Sequence, residues 1–594
     1  MKTARLTAAQ AIVRFLAAQR TVVDGEEAPL FPGVFAIFGH GNVTSLGHAL
    51  EQARDALPTY RAQNEQGMAL AAVAYAKATR RRQIMVATTS IGPGALNMVT
   101  AAGVAHANRL PVLLLAGDTF QSRIPDPVLQ QIEPFDSPST TVNDAFRPVS
   151  RYWDRLTRPE QVVHSLPLAV ETMLDPADCG PAFVGLPQDV QAEVYDYPEA
   201  LFEPRVHELR RPRPDRRQLA AAVDALRAAE RPLIVAGGGV HYSLAEEQLA
   251  HFAEAYGIPV VETMAGKSSL VASHPCWAGP IGVTGWEHAN RLAADADVVL
   301  AVGTRLQDFT TGSWTVFGDA RLVGLNVARF DATKHLALPL VADAREGLGE
   351  LEPALAGRRW DWAPPPPEPA ALDGEVGTYA QVIRAVNELA RADDYVVSAA
   401  GGLPGELNVN WRAKGVATFD CEYGFSCMGY EIAGAWGARM ARRTGDVIAF
   451  VGDGSYLMQN SELLSSVLAG HKLIVILCDN GGFAVIERLQ LAQGGASYNN
   501  MLPDGVRVDW VAHARALGCE AEAAATPDEL ADALDRARRA DRTTVIALRT
   551  APQAWTEGGA FWEVGVPAVS DRADPGSHDV VAGVRVGRLF YDQI

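Results

Sequence analysis

Two short turns carry residues able to hold a metal ion. Asp453 lies in the Gly-Asp-Gly turn 452–454, and Asn480 lies in Asp-Asn-Gly-Gly, 479–482. Each follows a strand-like apolar stretch, "DVIAFVG" and "LIVILCD". A carboxylate and an amide oxygen are hard ligands, suited to a divalent ion such as magnesium, which prefers six oxygens and takes some of them from a phosphate. Gly454, Ser455, Gly481 and Gly482 let backbone groups approach an anion closely. The intervening "NSELLSSVLAG" has helical spacing. A strand–helix–strand crossover then brings both turns to one edge of a parallel sheet.

Stepping along the chain, the same unit recurs: an apolar strand, a Gly-rich turn and an Ala-rich helix. Examples are "GVFAIFGHGN" and "LPVLLLAGDTF" early, "RPLIVAGGGV" and "ADVVLAVGTRL" in the middle, and "DYVVSAAGG" late. Continuous apolar strands alternating with helices predict parallel sheets covered on both faces, with function at the strands' carboxyl ends. Proline- and charge-rich stretches at 203–217 and 358–375 divide the chain into three domain-sized α/β blocks. The net charge of -18 argues against an extended nucleic-acid surface. Six scattered cysteines with no CxxC pair read as reduced cytoplasmic thiols. The N-terminal "MKTARLTAAQAIVRFLAAQR" reads as an amphipathic helix rather than a signal peptide, because Arg14 interrupts its apolar stretch.

The spacing of the two turns resembles the diphosphate anchor of thiamine-diphosphate enzymes. That resemblance implies Asp453, Asn480 and the Gly482 carbonyl as ligands of Mg2+. Three further stretches resemble the same family. "NEQGMALAAVAYAKA" matches the segment bearing the activating glutamate, here Glu65, which assists the cofactor's pyrimidine ring. "EYGFSCMGYEIAGAWGARMA" matches the aminopyrimidine cradle, with Ser426 beside the cofactor and Met428 as the apolar wedge under it. "AAGGLPGE" places Gly402 and Leu403 over the diphosphate, alongside Gly454 and Ser455. The family fold implies three doubly wound domains: pyrimidine-binding, 1–203; central, 218–357; and diphosphate-binding, 375–560. A tail, 561–594, has no assigned role. A homodimer is implied as the smallest active unit, commonly paired into a tetramer.

Within the family, "FAIFGHGNV", "ETMAGKS", "VGTRLQDFTTGS" and "WTEGGAFWEVGV" resemble a branch that hydrolytically opens a polyhydroxylated cyclohexane-1,2-dione in myo-inositol catabolism, giving 5-deoxy-D-glucuronate. His40, in "FGHGN", is the candidate general acid/base. Gln130, Asn42 and Arg123 are candidate substrate contacts. The alternative is an acetolactate-synthase-like carboligase acting on 2-oxo acids. Such enzymes sometimes retain FAD; here FAD is possible but not expected, because one Gly-rich turn in the central block is weak support.

Overall fold

The computed structural model describes residues 2–123, 128–132, 135–366, 374–492 and 495–565. Most of the anticipated tail lies outside that range. Three six-stranded sheets dominate the structure, and every strand pairing within them is parallel. In the N-terminal sheet the strands are β1 (Val34–Ile37), β2 (Thr59–Arg61), β3 (Val86–Thr89), β4 (Leu113–Asp118), β5 (Tyr152–Arg155) and β6 (Ala182–Pro187). The central sheet holds β7 (Pro232–Ala236), β8 (Val260–Glu262), β9 (Trp277–Pro280), β10 (Val298–Val302), β11 (Arg321–Asn326) and β12 (Leu338–Val341). The C-terminal sheet holds β13 (Tyr395–Ser398), β14 (Phe419–Cys421), β15 (Val447–Gly452), β16 (Ile474–Asp479), β17 (Glu520–Ala523) and β18 (Thr544–Arg549). All residues of β4, β6 and β10 are buried, as strands covered on both faces must be.

The N-terminal sheet runs in the order β2-β1-β3-β4-β6-β5, and the C-terminal sheet repeats it as β14-β13-β15-β16-β18-β17. The central sheet differs, with β9-β8-β7-β10-β11-β12. In the two matching sheets the chain reverses its direction of progress beside the first strand. Loops after the first and third strands therefore diverge there and leave a crevice. Residues 38–42 and 90–94 flank it in the N-terminal sheet; residues 399–402 and 453–455 flank it in the C-terminal sheet.

One helix crossing joins the matching sheets. Helix Glu65–Ala78 packs against helix Tyr430–Ala441, and both are buried over most of their length. At the crossing a Cβ on Gly437 would collide with the Ala71 carbonyl, so only glycine permits the approach. The result is one continuous core spanning both sheets. Helix Ala8–Ala18 buries its apolar face, and Thr7 and Gln10 close its start with a reciprocal capping box.

After β18 the chain turns back as a strap. Its Trp555 ring packs onto Gly402. The Ala560 N–H donates to Gly282 O (3.1 Å), and Trp562 Nε1 donates to Asp308 (3.1 Å). The strap thus ties the C-terminal sheet to the central one. Among the described residues, no helix is long and apolar enough to cross a membrane.

Candidate active site

Strand pairing puts the two opening turns side by side. Gly452 of β15 stands opposite Cys478 of β16, so Asp453 and Asn480 emerge together from adjacent strand ends. Both are buried. As the amide is oriented, Asn480 Nδ2 meets the Tyr379 hydroxyl at 2.5 Å. The position of its Oδ1 is then 2.9 Å from Gly482 O and 3.1 Å from Asp453 Oδ1. As placed, three oxygens converge; with the amide turned over, its nitrogen donates to Gly482 O and Asp453 Oδ1 and its oxygen accepts from the Tyr379 hydroxyl, so the oxygen-facing orientation is the one a cation would select. Oxygens at right angles around magnesium, at its usual bond length, stand about 3 Å apart. The spacing suits an octahedral edge, and the donor set is the hard one magnesium selects. Burial, reinforced by the neighbouring Asp479 carboxylate, lifts the Asp453 carboxyl to about 6. A cation at that oxygen would favour its ionised form. Gly482 has φ 144, and a Cβ there would meet Asn500 O at 2.5 Å, so the turn that presents its carbonyl requires glycine.

Around this cluster lies a cavity of about 550 Å³. Gly402, Leu403, Ser426, Met428, Gly454 and Ser455 all line it, as does Asn480. Gly402 precedes helix Leu403–Asn410, whose start faces the crevice. Ser426 has φ 57, a strained value for a residue with a side chain, which turns the loop ahead of Met428. The Ser455 hydroxyl points away from the crevice. It donates to Glu431 Oε2 (2.8 Å) and accepts from the Gly429 N–H (2.8 Å). Its backbone N–H, at the start of helix Asp453–Gln459, is what remains for an anion.

Glu431 was not singled out in the sequence, yet it braces the whole cradle. It also accepts from the N–H groups of Ala400 (3.2 Å) and Gly429 (2.9 Å). Burial pushes its carboxyl up to about 7. A charged residue inside the apolar "GYEIAGAWGA" was the available signal. Tyr379, Glu406, Trp555 and Thr556 also wall the cavity and were missed. Tyr379 stands just beyond a proline-rich linker, where nothing in the pattern marks it.

The other predicted residues gather at the N-terminal sheet. Glu65 opens its helix, and its Oε2 accepts from Asn97 Nδ2 at 2.9 Å. The neighbouring backbone is anchored across the domain boundary: Asn64 N–H donates to Glu462 Oε1 at 2.9 Å. Burial lifts Glu462 to about 7, and Glu65 adds to the rise. His40 is exposed on the loop after β1. Asn42 is buried beneath it: its Oδ1 accepts from Gly39 N–H (3.1 Å) and its Nδ2 donates to Thr88 (3.3 Å). That amide shapes the His40 turn rather than facing outward. Ser90 ties the same turn to Gln130, accepting from Gly41 N–H and donating to Gln130 Oε1, both at 3.3 Å. Gln130 itself is exposed. Arg123 is also exposed, with its guanidinium 5.0 Å from the centre of the Phe120 ring. Glu65, His40, Gln130, Asn42 and Arg123 are not among the walls of the 550 Å³ cavity.

Three parts of the chain match the domain families of thiamine pyrophosphate enzymes: the N-terminal TPP binding domain over residues 32–137, the central domain over 219–351, and the C-terminal TPP binding domain over 400–548. A protein of Geobacillus thermodenitrificans is 43% identical over 619 residues, covering 96% of this chain and 97% of its own. The chain belongs to the thiamine pyrophosphate enzyme family. A Bacillus subtilis relative is 41% identical, with 96% of each chain covered. Both relatives are named 3D-(3,5/4)-trihydroxycyclohexane-1,2-dione hydrolase. The family's cofactor is thiamine diphosphate, and the oxygen cluster and glycine-lined crevice of this chain fit its magnesium diphosphate end.

Proposed function

We propose that the chain hydrolyses 3D-(3,5/4)-trihydroxycyclohexane-1,2-dione to 5-deoxy-D-glucuronate, opening the ring between its two carbonyl carbons. The observation carrying this reading is the 41–43% identity to hydrolases of that name over 96% of the chain. Asp453, Asn480 and Gly482 O would hold Mg2+, while Gly402, Leu403, Gly454 and Ser455 would hold the diphosphate through their backbone. Ser426 and Met428 shape the seat of the ring system. When bound, thiamine diphosphate supplies a nucleophilic carbon for one carbonyl.

The chain's own groups handle protons and water. Asn97 orients the Glu65 carboxyl, which would share a proton with a ring nitrogen of the bound pyrimidine. His40, on a turn held by Asn42 and Ser90, moves a proton between water and substrate. Gln130, braced by Ser90, orients the dione, with Arg123 nearby in sequence as a further polyol contact. Because Glu65 does not wall the cavity of its own chain, a second copy supplies it. A homodimer is then the smallest active unit, and a tetramer pairs two such units. The thiols of all six cysteines are unpaired, which fits the reducing cytoplasm.

Turnover of the dione with magnesium and thiamine diphosphate tests the reading, with Glu65→Ala as control. The open-chain acid should appear with the wild type and vanish with the variant. No acid from the dione, together with carbon dioxide from pyruvate, would overturn the assignment in favour of a carboligase.

A further inference from the structure

The cavity over the metal turn has a single side-chain cation on its described walls, Arg488. Arg488 belongs to helix Ala484–Ala492, which starts directly after the Gly482–Phe483 turn. Its guanidinium carbon lies 5.0 Å from the centre of the Trp555 ring on the strap. That cation–π contact places the guanidinium over the indole face.

Arg488 makes no salt bridge among the described residues, and its charge acts on Glu406 from beyond contact. The adjacent Glu487 is buried and turned inward, accepting from Gln553 Nε2 (2.8 Å) and from the Ser497 hydroxyl. Glu406 shares the cavity wall, but its oxygens accept from the Thr556 N–H (2.8 Å), the Thr556 hydroxyl (2.6 Å) and Asn410 Nδ2 (3.1 Å). Burial raises the Glu406 pKa, against the pull of Arg488. Glu557, on the strap, is exposed at the cavity mouth.

The substrate of the proposed reaction is neutral, so a cation facing it has no charge to meet. Charge appears only on ring opening. The hydroxyl of water ends on one former carbonyl carbon and its hydrogen on the other, as the carbon–carbon bond between them breaks. The first carbon becomes a carboxylic acid and releases a proton; the second becomes an aldehyde. A guanidinium is matched to the planar, two-oxygen anion so formed.

We propose that Arg488 is the carboxylate-binding residue of the site, indifferent to the neutral dione and engaging the acid as it forms. The assignment rests on the ring-opening reading above. It makes Arg488 a group that favours cleavage over return and that holds the product until release.

The test uses the holoenzyme with Arg488→Met and Arg488→Lys. Calorimetry of 5-deoxy-D-glucuronate binding to the magnesium–thiamine diphosphate form is the main readout. Arg488→Met should weaken acid binding at least about tenfold, as loss of a charge-assisted pair does. It should lower kcat while leaving KM for the dione and the cofactor affinity within about twofold. Arg488→Lys should recover part of the acid affinity, keeping the charge but not the fork. Unchanged acid binding in Arg488→Met, with a wild type that opens the ring, would overturn the Arg488 assignment alone. A selective loss of thiamine diphosphate affinity would overturn it too, by assigning the guanidinium to the diphosphate. A wild type that binds cofactor but does not open the ring would overturn the ring-opening reading and this proposal with it.

Discussion

The N-terminal and C-terminal sheets share one strand order and bring their polar residues to the same place, the crevice beside their first and third strands. They finish that place in opposite ways. At the C-terminal crevice Asp453, Asn480 and Glu431 are 2%, 9% and 1% exposed and are tied to one another through turns and backbone N–H groups. At the N-terminal crevice His40 and Gln130 stand in solvent, and Glu65 is only half-buried. The difference follows from what each edge must meet. A metal diphosphate demands ligands fixed in advance, because reorganising buried dipoles at the moment of binding forfeits their advantage. Under the proposed function the other edge meets a mobile substrate and a second chain, and needs reach and access. One topology therefore serves as a closed socket in one domain and an open face in the other.

The largest loss is expected at the socket. Asp453→Ala removes the only side-chain carboxylate of the oxygen cluster. Magnesium-dependent binding of thiamine diphosphate should be lost in calorimetry, and kcat/KM should fall by roughly 10⁴-fold or more, the scale of several kcal/mol of charge stabilisation. Glu65→Gln attacks the open face. It should lower kcat by about 10²- to 10³-fold, as loss of a proton-handling group does, while cofactor affinity stays within a few-fold. Equal damage to cofactor binding from both variants would mean that the two edges do not divide the work.

How much of this was legible follows the same division. The meeting of the two turns could be read because a strand–helix–strand crossover sets successive strand ends side by side, and β15 and β16 pair where the crossover requires. The close packing of the Glu65 helix could be read because half of its residues are alanine or glycine, and the Ala71–Gly437 contact shows what they permit. The braces could not be read. Glu431, Tyr379 and Thr556 reach the site through contacts between distant parts of the chain: Glu431 meets Ala400 and Ser455, and Thr556 meets Glu406. No local period encodes such meetings. Asn42 shows the converse, since a polar residue in a Gly-rich turn suggested a substrate contact, while the folded loop uses its amide internally.

Glu431 gives a pH-dependent test of the socket's closure. Its carboxyl sits at about 7 in the folded chain against an ordinary 4.5, so folding favours the neutral acid. The stability it contributes is complete below pH 4.5 and is lost as pH rises through 7. At about 1.4 kcal/mol per pH unit the loss is on the order of 3 kcal/mol. Glu462, also lifted to about 7, adds to the same slope. Denaturant midpoints of the metal-free chain should fall between pH 5 and pH 8, and Glu431→Gln should flatten part of that fall. An unchanged slope in the variant would mean that Glu431 is ionised and solvated, and that the socket is open like its counterpart.

Ser455→Ala is the smallest change and separates side chain from backbone within the socket. The hydroxyl is engaged with Glu431 and Gly429, so its loss removes a brace rather than a ligand. Stability should drop by about 1 kcal/mol, and Gly429 N–H keeps Glu431 as an acceptor. Thiamine diphosphate affinity should change less than about threefold, because the backbone N–H survives the substitution. A direct hydroxyl–diphosphate bond would be charge-assisted, and losing it would weaken affinity about tenfold or more. That larger drop, without a matching loss of stability, would show that the serine turns outward when the diphosphate arrives and that the socket, like the opposite edge, completes itself only around its ligand.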